Sequence, residues 1–219
     1  MRACRAGGAK RRRSDMLDHF GLLAPIYDRV IRPPDVERLC HLLELPAPVR
    51  MLDAGGGTGR VSSQLRSLVS ELVVSDLSLP MLKQARTKGG LRLVQAHAES
   101  LPFLDESFDR VLAVDALHHF CDQREAVRDL LRVLKAGGRL VIEEPDLSRF
   151  TVKLMSLAEK VALMRSHLHH PGEIKEMIAA HGLSARIVRD GKFTVWVVVD
   201  KPVQQEGVEE RPSLQVRRS

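Results

Sequence analysis

Arg50-Met51-Leu52-Asp53-Ala54-Gly55-Gly56-Gly57-Thr58-Gly59 is the stretch from which the fold is read. A short apolar run ends on an acid and passes at once into glycines spaced G-x-G-x-G at Gly55, Gly57 and Gly59. Glycine allows a turn with positive φ and lets the backbone approach a ligand closely, and amides at the start of a following helix would face that ligand. The pattern points to a nucleotide-like cofactor. A dinucleotide fingerprint, G-x-G-x-x-G, would need glycine where Arg60 stands, and no G-x-x-x-x-G-K-[ST] phosphate loop is present. A structural tight turn is the plainer reading of such a glycine cluster. Asp76 supports the ligand reading: it closes the second apolar run, Leu72-Val73-Val74-Ser75-Asp76, about twenty residues after the glycines, where an acid can accept from both ribose hydroxyls. Its alternative role is to cap the next helix.

Outward from these two runs, strand and helix patterns alternate. Arg60 to Val69 and Leu79 to Lys88 read as helices, Leu91 to Ala96 and Arg110 to Val114 as strands. Gln123 to Leu134 is an amphipathic helix expected to close at Ala136-Gly137-Gly138, and Arg139 to Glu143 makes a fifth strand. Near-continuous apolar runs alternating with helices signal parallel strands covered on both faces. Towards the end, Thr151 to Leu168 reads as an inserted helix and Pro171 to His181 as a helix opened by proline and closed by Gly182. Ser184 to Val188 and Phe193 to Val199 read as strands around Asp190-Gly191. Near the start, Asp15 to Ile31 suggests two short helices interrupted by Pro25, and Asp35 can cap a helix from Val36 to Leu45 that Pro46 and Pro48 end. The expectation is a Rossmann-like, doubly wound α/β fold: a mostly parallel seven-stranded sheet with a final antiparallel strand, a short helical cap, and a ligand beyond the carboxyl ends of the first strands.

The 219 residues, 44% apolar, suit one buried domain with short appendages. The division expected is a basic disordered tail over 1–13, a domain over 14–201 with cap elements at 15–45 and 146–170, and a disordered tail over 202–219. The formal charge of +6 comes from the first tail, where Arg2, Arg5, Lys10, Arg11, Arg12 and Arg13 stand without an acid, leaving a body near neutrality. Deleting residues 1–13 is therefore expected to leave the melting temperature unchanged, and a large drop in a thermal melt would show that the tail docks. Cys4, Cys40 and Cys121 are odd in number and lack C-x-x-C spacing, so neither a disulfide framework nor a thiolate zinc site is indicated. No apolar run reaches the roughly 18 residues needed to cross a bilayer. A cytoplasmic protein with no transmembrane segment is expected.

Beyond these readings the chain resembles the class I S-adenosylmethionine-dependent methyltransferases, particularly the small-molecule branch that includes ubiquinone and menaquinone C-methyltransferases. The motifs are Ala24-Pro25-Ile26-Tyr27-Asp28; Leu52 to Gly59; Ser75-Asp76-Leu77-Ser78 with Met81-Leu82; Ala98-Glu99-Ser100-Leu101-Pro102-Phe103; Ser107-Phe108-Asp109; Ala116-Leu117-His118-His119-Phe120; and Arg132 to Leu140. The resemblance implies S-adenosylmethionine as cofactor, S-adenosylhomocysteine as product and a small-molecule acceptor methylated on C, O or N. It places Asp53 near the methionine ammonium, the backbone of Ala54, Gly55, Gly57 and Gly59 as a cradle, Asp76 on the ribose, Leu77 and Met81 around adenine, and Ala98 and Glu99 by its edge. His97 stands where many relatives have Asp. Tyr27 and Asp115 complete the expected cofactor set.

His118 and His119 follow the fourth strand, where the family's loop passes near the sulfonium. Histidine titrates near neutrality, so both are candidate general bases for an acceptor that must lose a proton; packing within the fold is the competing role. His167, His169 and His170 could join them around zinc or iron, but no spacing fixes such a geometry and no metal is expected. Leu117-His118-His119-Phe120 departs from the Gly-Leu-Arg-Asn pattern associated with the menaquinone branch, which therefore stands as an alternative. So does a non-catalytic cofactor-binding module, because only about 25 residues separate the fifth strand from the Pro171 helix as a roof for an acceptor. A nucleic-acid substrate finds little support: aromatics are 4% of the chain and no Asn-Pro-Pro-Tyr motif occurs. Oligomeric state is not legible.

Overall fold

The computed structural model describes residues 24, 27–30, 34–146, 169–189 and 194–203. The expected tail over 1–13, all of the expected tail over 202–219 beyond residue 203, the inserted helix over 151–168, His167 and the Asp190-Gly191 turn lie outside the described residues.

Seven strands form one sheet: β1 (Arg50–Ala54), β2 (Glu71–Asp76), β3 (Arg92–Gln95), β4 (Phe108–Val114), β5 (Leu134–Pro145), β6 (Ala185–Arg189) and β7 (Thr194–Asp200). Their order is β3-β2-β1-β4-β5-β7-β6. The pairs among β1 to β5 are parallel, and β7 runs antiparallel to both β5 and β6. The order reverses between β1 and β4, so a crevice opens beyond the carboxyl ends of those two strands, where ligands of such sheets bind.

Two cores hold the sheet between helical layers. On one face Val127, Leu130 and Val133 of α5 (Gln123–Val133) and Ile174, Met177 and Ile178 of α6 (Pro171–Ala179) pack on Leu52, Ala113, Leu140 and Ile142. On the other, Leu39, Leu42 and Leu43 of α2 (Val36–Leu43), Leu65 of α3 (Ser62–Leu65) and Leu82 of α4 (Leu79–Thr87) cover Met51, Val74, Leu112 and Val141. A further helical turn, α1, spans Tyr27–Val30. Capping follows the side chains: Asp35, Ser78 and Asp122 accept from Arg38, Met81 and Glu125 amides at the starts of α2, α4 and α5. Strand burial on both faces accounts for the apolar runs, and among the described residues no helix is long and apolar enough to cross a membrane.

Two local expectations are corrected. Ala136-Gly137-Gly138 does not close a helix: α5 stops at Val133, and Leu134 already pairs with Phe108 as the start of a twelve-residue strand. Gly137, with φ +75°, and Gly138 sit in an irregular stretch of β5, where a Cβ on Gly138 would fall 2.8 Å from the Leu134 side chain, so the glycines serve a strand irregularity. The helix after the glycine loop begins at Ser62 rather than Arg60 and tightens to a 3₁₀ turn over Arg66–Leu68. Gly59, at φ +69°, breaks the helical path ahead of it. His169 and His170 lie at the start of α6: His170 accepts from the Gly172 amide, and Glu173 accepts from the His170 amide and meets His169 Nδ1 at 2.6 Å.

Candidate functional site

The cleft at the strand-order reversal is lined by Tyr27, Asp53, Gly55, Gly56, Gly57, Thr58, Arg60, Val61, Val114 and Asp115. Its floor is set by β1. Asp53 lies on the buried strand, 1% exposed, and its Oδ2 accepts from Ser62 Oγ at 2.5 Å. Oδ1 is equally buried and has no hydrogen-bond partner among the described residues. A carboxylate oxygen left in this way is costly without a ligand and raises the pKa. Burial, with the nearby Asp76 charge, lifts Asp53 from 3.8 to about 6, although the Ser62 bond opposes the shift.

Above the floor the glycines divide their work. Gly55 and Gly57 have φ +72° and +54°. A Cβ on Gly57 would meet nothing nearer than Asp76 Oδ2 at 3.9 Å, so its surroundings are open, whereas one on Gly55 would strike the Ala116 side chain at 2.7 Å. Gly59 faces Leu91 and Ala85 instead and packs the loop on α4. Ala54 is fully buried in β1. Asp76 ends β2 and ties the loop together: Oδ2 accepts from Gly57 N at 2.8 Å and Oδ1 from Ser78 N at 2.7 Å. Each oxygen retains capacity for a second donor. Burial raises the Asp76 pKa and these two backbone bonds oppose the rise.

Beyond Asp76, Met81 and Ala98 are buried and Leu77 is half-buried. His97 is largely exposed, with Nδ1 3.7 Å from Glu99 Oε2, while Glu99 Oε1 accepts from the amides of Cys121 and Asp122. Glu99 therefore joins the end of β3 to the loop after β4. The fold brings Tyr27, Asp53, Gly55, Gly57 and Asp115 to the cleft itself and sets Asp76 against its glycine loop. It places Leu77, Met81, His97, Ala98 and Glu99 farther along the strand ends.

One wall of the cleft carries Asp115, expected in the cofactor set, together with Arg60 and, behind them, Glu143, which sequence reasoning did not assign. Arg60 Nη2 lies 3.6 Å from Asp115 Oδ2, and Asp115 holds φ +50° at the end of β4 with its amide on Glu143 O. Glu143 is buried in β5 and accepts from Trp196 Nε1 at 2.8 Å; burial and the Asp115 charge push it up to about 7. Asp53, Asp115 and Glu143 thus gather around a single arginine of the cleft lining, an arrangement suited to a cationic ligand. Two consecutive acids, Glu143-Glu144, at the end of an otherwise apolar strand are the sequence signal that could have flagged this wall. Tyr27 closes the cleft from α1, its phenol held above the ordinary value by burial and by Asp115. The helix is anchored by Asp28, which accepts from Thr58 Oγ1 at 2.5 Å and from Lys88 Nζ at 2.6 Å; Lys88 also donates to Thr58 O.

The two histidines occupy a 3₁₀ turn, Leu117–His119. Their rings stand 4.0 Å apart. His118 is buried and its Nδ1 meets Glu144 Oε2 at 2.5 Å, whereas burial and then the charge of His118 lower the His119 pKa to about 3. Among the described residues no group of three His, Cys, Asp or Glu side chains is placed to hold a metal.

Residues 52–142 match a family model described as a methyltransferase domain. The chain is 42% identical over 119 residues to the ubiquinone/menaquinone biosynthesis C-methyltransferase UbiE of Pseudomonas putida strain GB-1, covering 50% of this chain and 46% of that protein. It is 43% identical over 105 residues to the same-named protein of Pseudomonas aeruginosa strain LESB58, covering 43% and 41%. The chain thus spans less than half the length of these curated relatives. Among solved structures, a SAM-dependent methyltransferase from Thermotoga maritima matches with TM-score 0.69 at 21% identity, over 85% of this chain and 99% of that one. The YcgJ protein of Bacillus subtilis matches with TM-score 0.67 at 21% identity, over 76% and 97%. These likenesses show the fold.

Proposed function

We propose that this chain, which carries a class I S-adenosylmethionine-dependent methyltransferase domain, uses its cleft to transfer a methyl group from S-adenosylmethionine to a small-molecule acceptor on C, O or N. The observation that carries the reading is the unpartnered Asp53 Oδ1, buried in a carboxylate that lies against Gly56, with Asp76 held on the Gly57 amide of the same loop. When bound, S-adenosylmethionine supplies an electrophilic methyl group on a sulfonium, and S-adenosylhomocysteine remains.

The chain's own residues fit that ligand. Asp53 offers a desolvated acceptor for an ammonium, the Gly55–Gly57 backbone permits close approach, and Asp76 has lone pairs left for a ribose diol. Leu77, Met81, Ala98 and Glu99 supply the next surface, suited to adenine and its edge, with His97 at its exposed rim. Asp115 and Glu143 lend negative potential on the far wall, and Tyr27 excludes water from α1. Methyl transfer is an in-line displacement, so placing the acceptor and keeping the site dry supply much of the rate. A base is required only where the acceptor loses a proton, and His118 and His119 are the candidates.

The names of the curated relatives favour a quinone-type ring carbon as acceptor, while the Leu117-His118-His119-Phe120 turn argues for a different acceptor contact. Titration calorimetry should show micromolar binding of S-adenosylmethionine or S-adenosylhomocysteine and negligible binding of NAD. An acceptor screen that detects S-adenosylhomocysteine then distinguishes a quinone precursor, another small molecule, a nucleic acid and no acceptor at all. Tighter binding of NAD would overturn the cofactor assignment, and cofactor binding without turnover on any acceptor would leave a binding module.

A further inference from the structure

The end of β5 carries two adjacent buried acids that point to opposite faces of the sheet. Glu143 lies behind the cleft, coupled to Asp115 and Arg60. Glu144 does something different: its Oε1 accepts from the Leu117 amide at 2.9 Å and its Oε2 meets His118 Nδ1 at 2.5 Å. Both side chains are under a tenth exposed. One carboxylate therefore grips the backbone and the ring of the same 3₁₀ turn, across 26 residues of sequence. We propose that Glu144 is a positioning residue that keeps the proton of neutral His118 on Nδ1, so that Nε2 is the nitrogen that takes a proton from the acceptor.

The chemistry follows from the acceptor-only character of the carboxylate. An ionised Glu144 cannot donate, so its contact with Nδ1 requires a hydrogen there, and the second lone pair of the neutral ring is left on Nε2. When an acceptor X–H gives its proton to Nε2, the electron pair of that bond stays on X. The ring becomes an imidazolium, whose charge is matched by Glu144 at hydrogen-bond distance. Withdrawn from water, that pairing is stronger than on a surface. His119 is a weaker base, its conjugate acid being held to about pKa 3 by burial and by His118. The base role rests on the methyl-transfer reading above; the position of the proton does not.

The test uses the full chain labelled with ¹⁵N-histidine, with the His118 ring assigned by its loss in His118→Asn. Long-range ¹H–¹⁵N spectra should show Nδ1–H when the ring is neutral. Glu144→Gln keeps an oxygen for the Leu117 amide but presents an NH2 to Nδ1, so the proton should move to Nε2; Glu144→Asp, which retains a carboxylate, should keep it on Nδ1. With a methylated acceptor that loses a proton, Glu144→Gln should lower turnover about 100-fold or more, with S-adenosylmethionine affinity nearly unchanged. An Nε2–H ring in the unmodified chain, a ring protonated on both nitrogens up to the alkaline limit of folding, or an unchanged tautomer in Glu144→Gln would overturn the proposal. The unmodified spectrum decides the matter even if Glu144→Gln does not fold. A shifted tautomer with full turnover would remove His118 as the base, and absence of S-adenosylhomocysteine with every acceptor would sink the function while the spectra still decide the proton.

Discussion

Asp53→Asn is expected to make the ligand-free protein more stable at pH 7 and, at the same time, to weaken S-adenosylmethionine binding about 30- to 100-fold. Both effects come from one buried carboxylate with an unpartnered oxygen. The folded-state pKa, about 6 against an ordinary 3.8, lies above the unfolded value. Below pH 4 both states hold the proton and the group costs nothing. Between pH 4 and 6 the unfolded chain loses the proton first, so stability falls as pH rises, and above 6 the whole penalty is present. Two pKa units correspond to roughly 3 kcal/mol, and because a buried amide has donors of its own to satisfy, the gain in Asp53→Asn should be about 1 to 3 kcal/mol. A cationic ammonium reverses the balance by favouring the charged form, so binding to the unmodified chain should tighten between pH 5 and 7 while the variant stays flat. Denaturant melts at pH 4.5 and 7 measure the first effect and calorimetry the second. Glu143, at about 7, extends the stability slope to higher pH and should remain in the variant. A variant as pH-dependent as the parent over pH 4 to 6 would show that Asp53 is not the titrating group.

Asp76→Ala should weaken cofactor binding by about 1.5 to 3 kcal/mol, roughly 10- to 150-fold, through loss of charged hydrogen bonds to a buried ligand. The structure adds a second consequence. Asp76 also accepts from the Gly57 and Ser78 amides, so its removal strands two backbone donors and loosens the loop. A stability loss of about 1 to 3 kcal/mol is expected, on the order of 3 to 10 °C in melting temperature for a domain of this size. The two contributions separate at a temperature where the variant is fully folded: if it then binds S-adenosylmethionine as the parent does, Asp76 organises the loop and does not hold the ligand. Asp76→Asn, which keeps one strong acceptor for an amide, should recover part of the stability.

The positions of these two residues were legible before any coordinates because they depend on neighbours close in sequence. An apolar run, an acid and spaced glycines determine a strand and the turn that follows it, and the same local logic placed Asp76 at the end of β2. The alternation of runs and helices was likewise enough for a mostly parallel sheet covered on both faces, since strands buried on both sides must be apolar throughout. Where local signals were ambiguous the reading slipped. Gly137-Gly138 resembles a helix stop, but pairing of Leu134 with Phe108 decides that the residues before it already belong to a strand, and pairing is not written in either segment alone.

Only tertiary contacts decided the rest of the site. The sequence reading treated Gly55, Gly57 and Gly59 as one motif, yet Gly57 faces open space and Gly59 faces Ala85 and Leu91. Asp28 meets Thr58 and Lys88 across 30 and 60 residues. The cluster of Arg60, Asp115, Glu143 and Trp196 joins the loop after β1, the end of β4, β5 and β7, and the Glu144–His118 contact joins the end of β5 to the turn after β4. Periodicity specifies which face of its own element a residue occupies, whereas a charged pair across a cleft depends on which strand ends the sheet order makes neighbours.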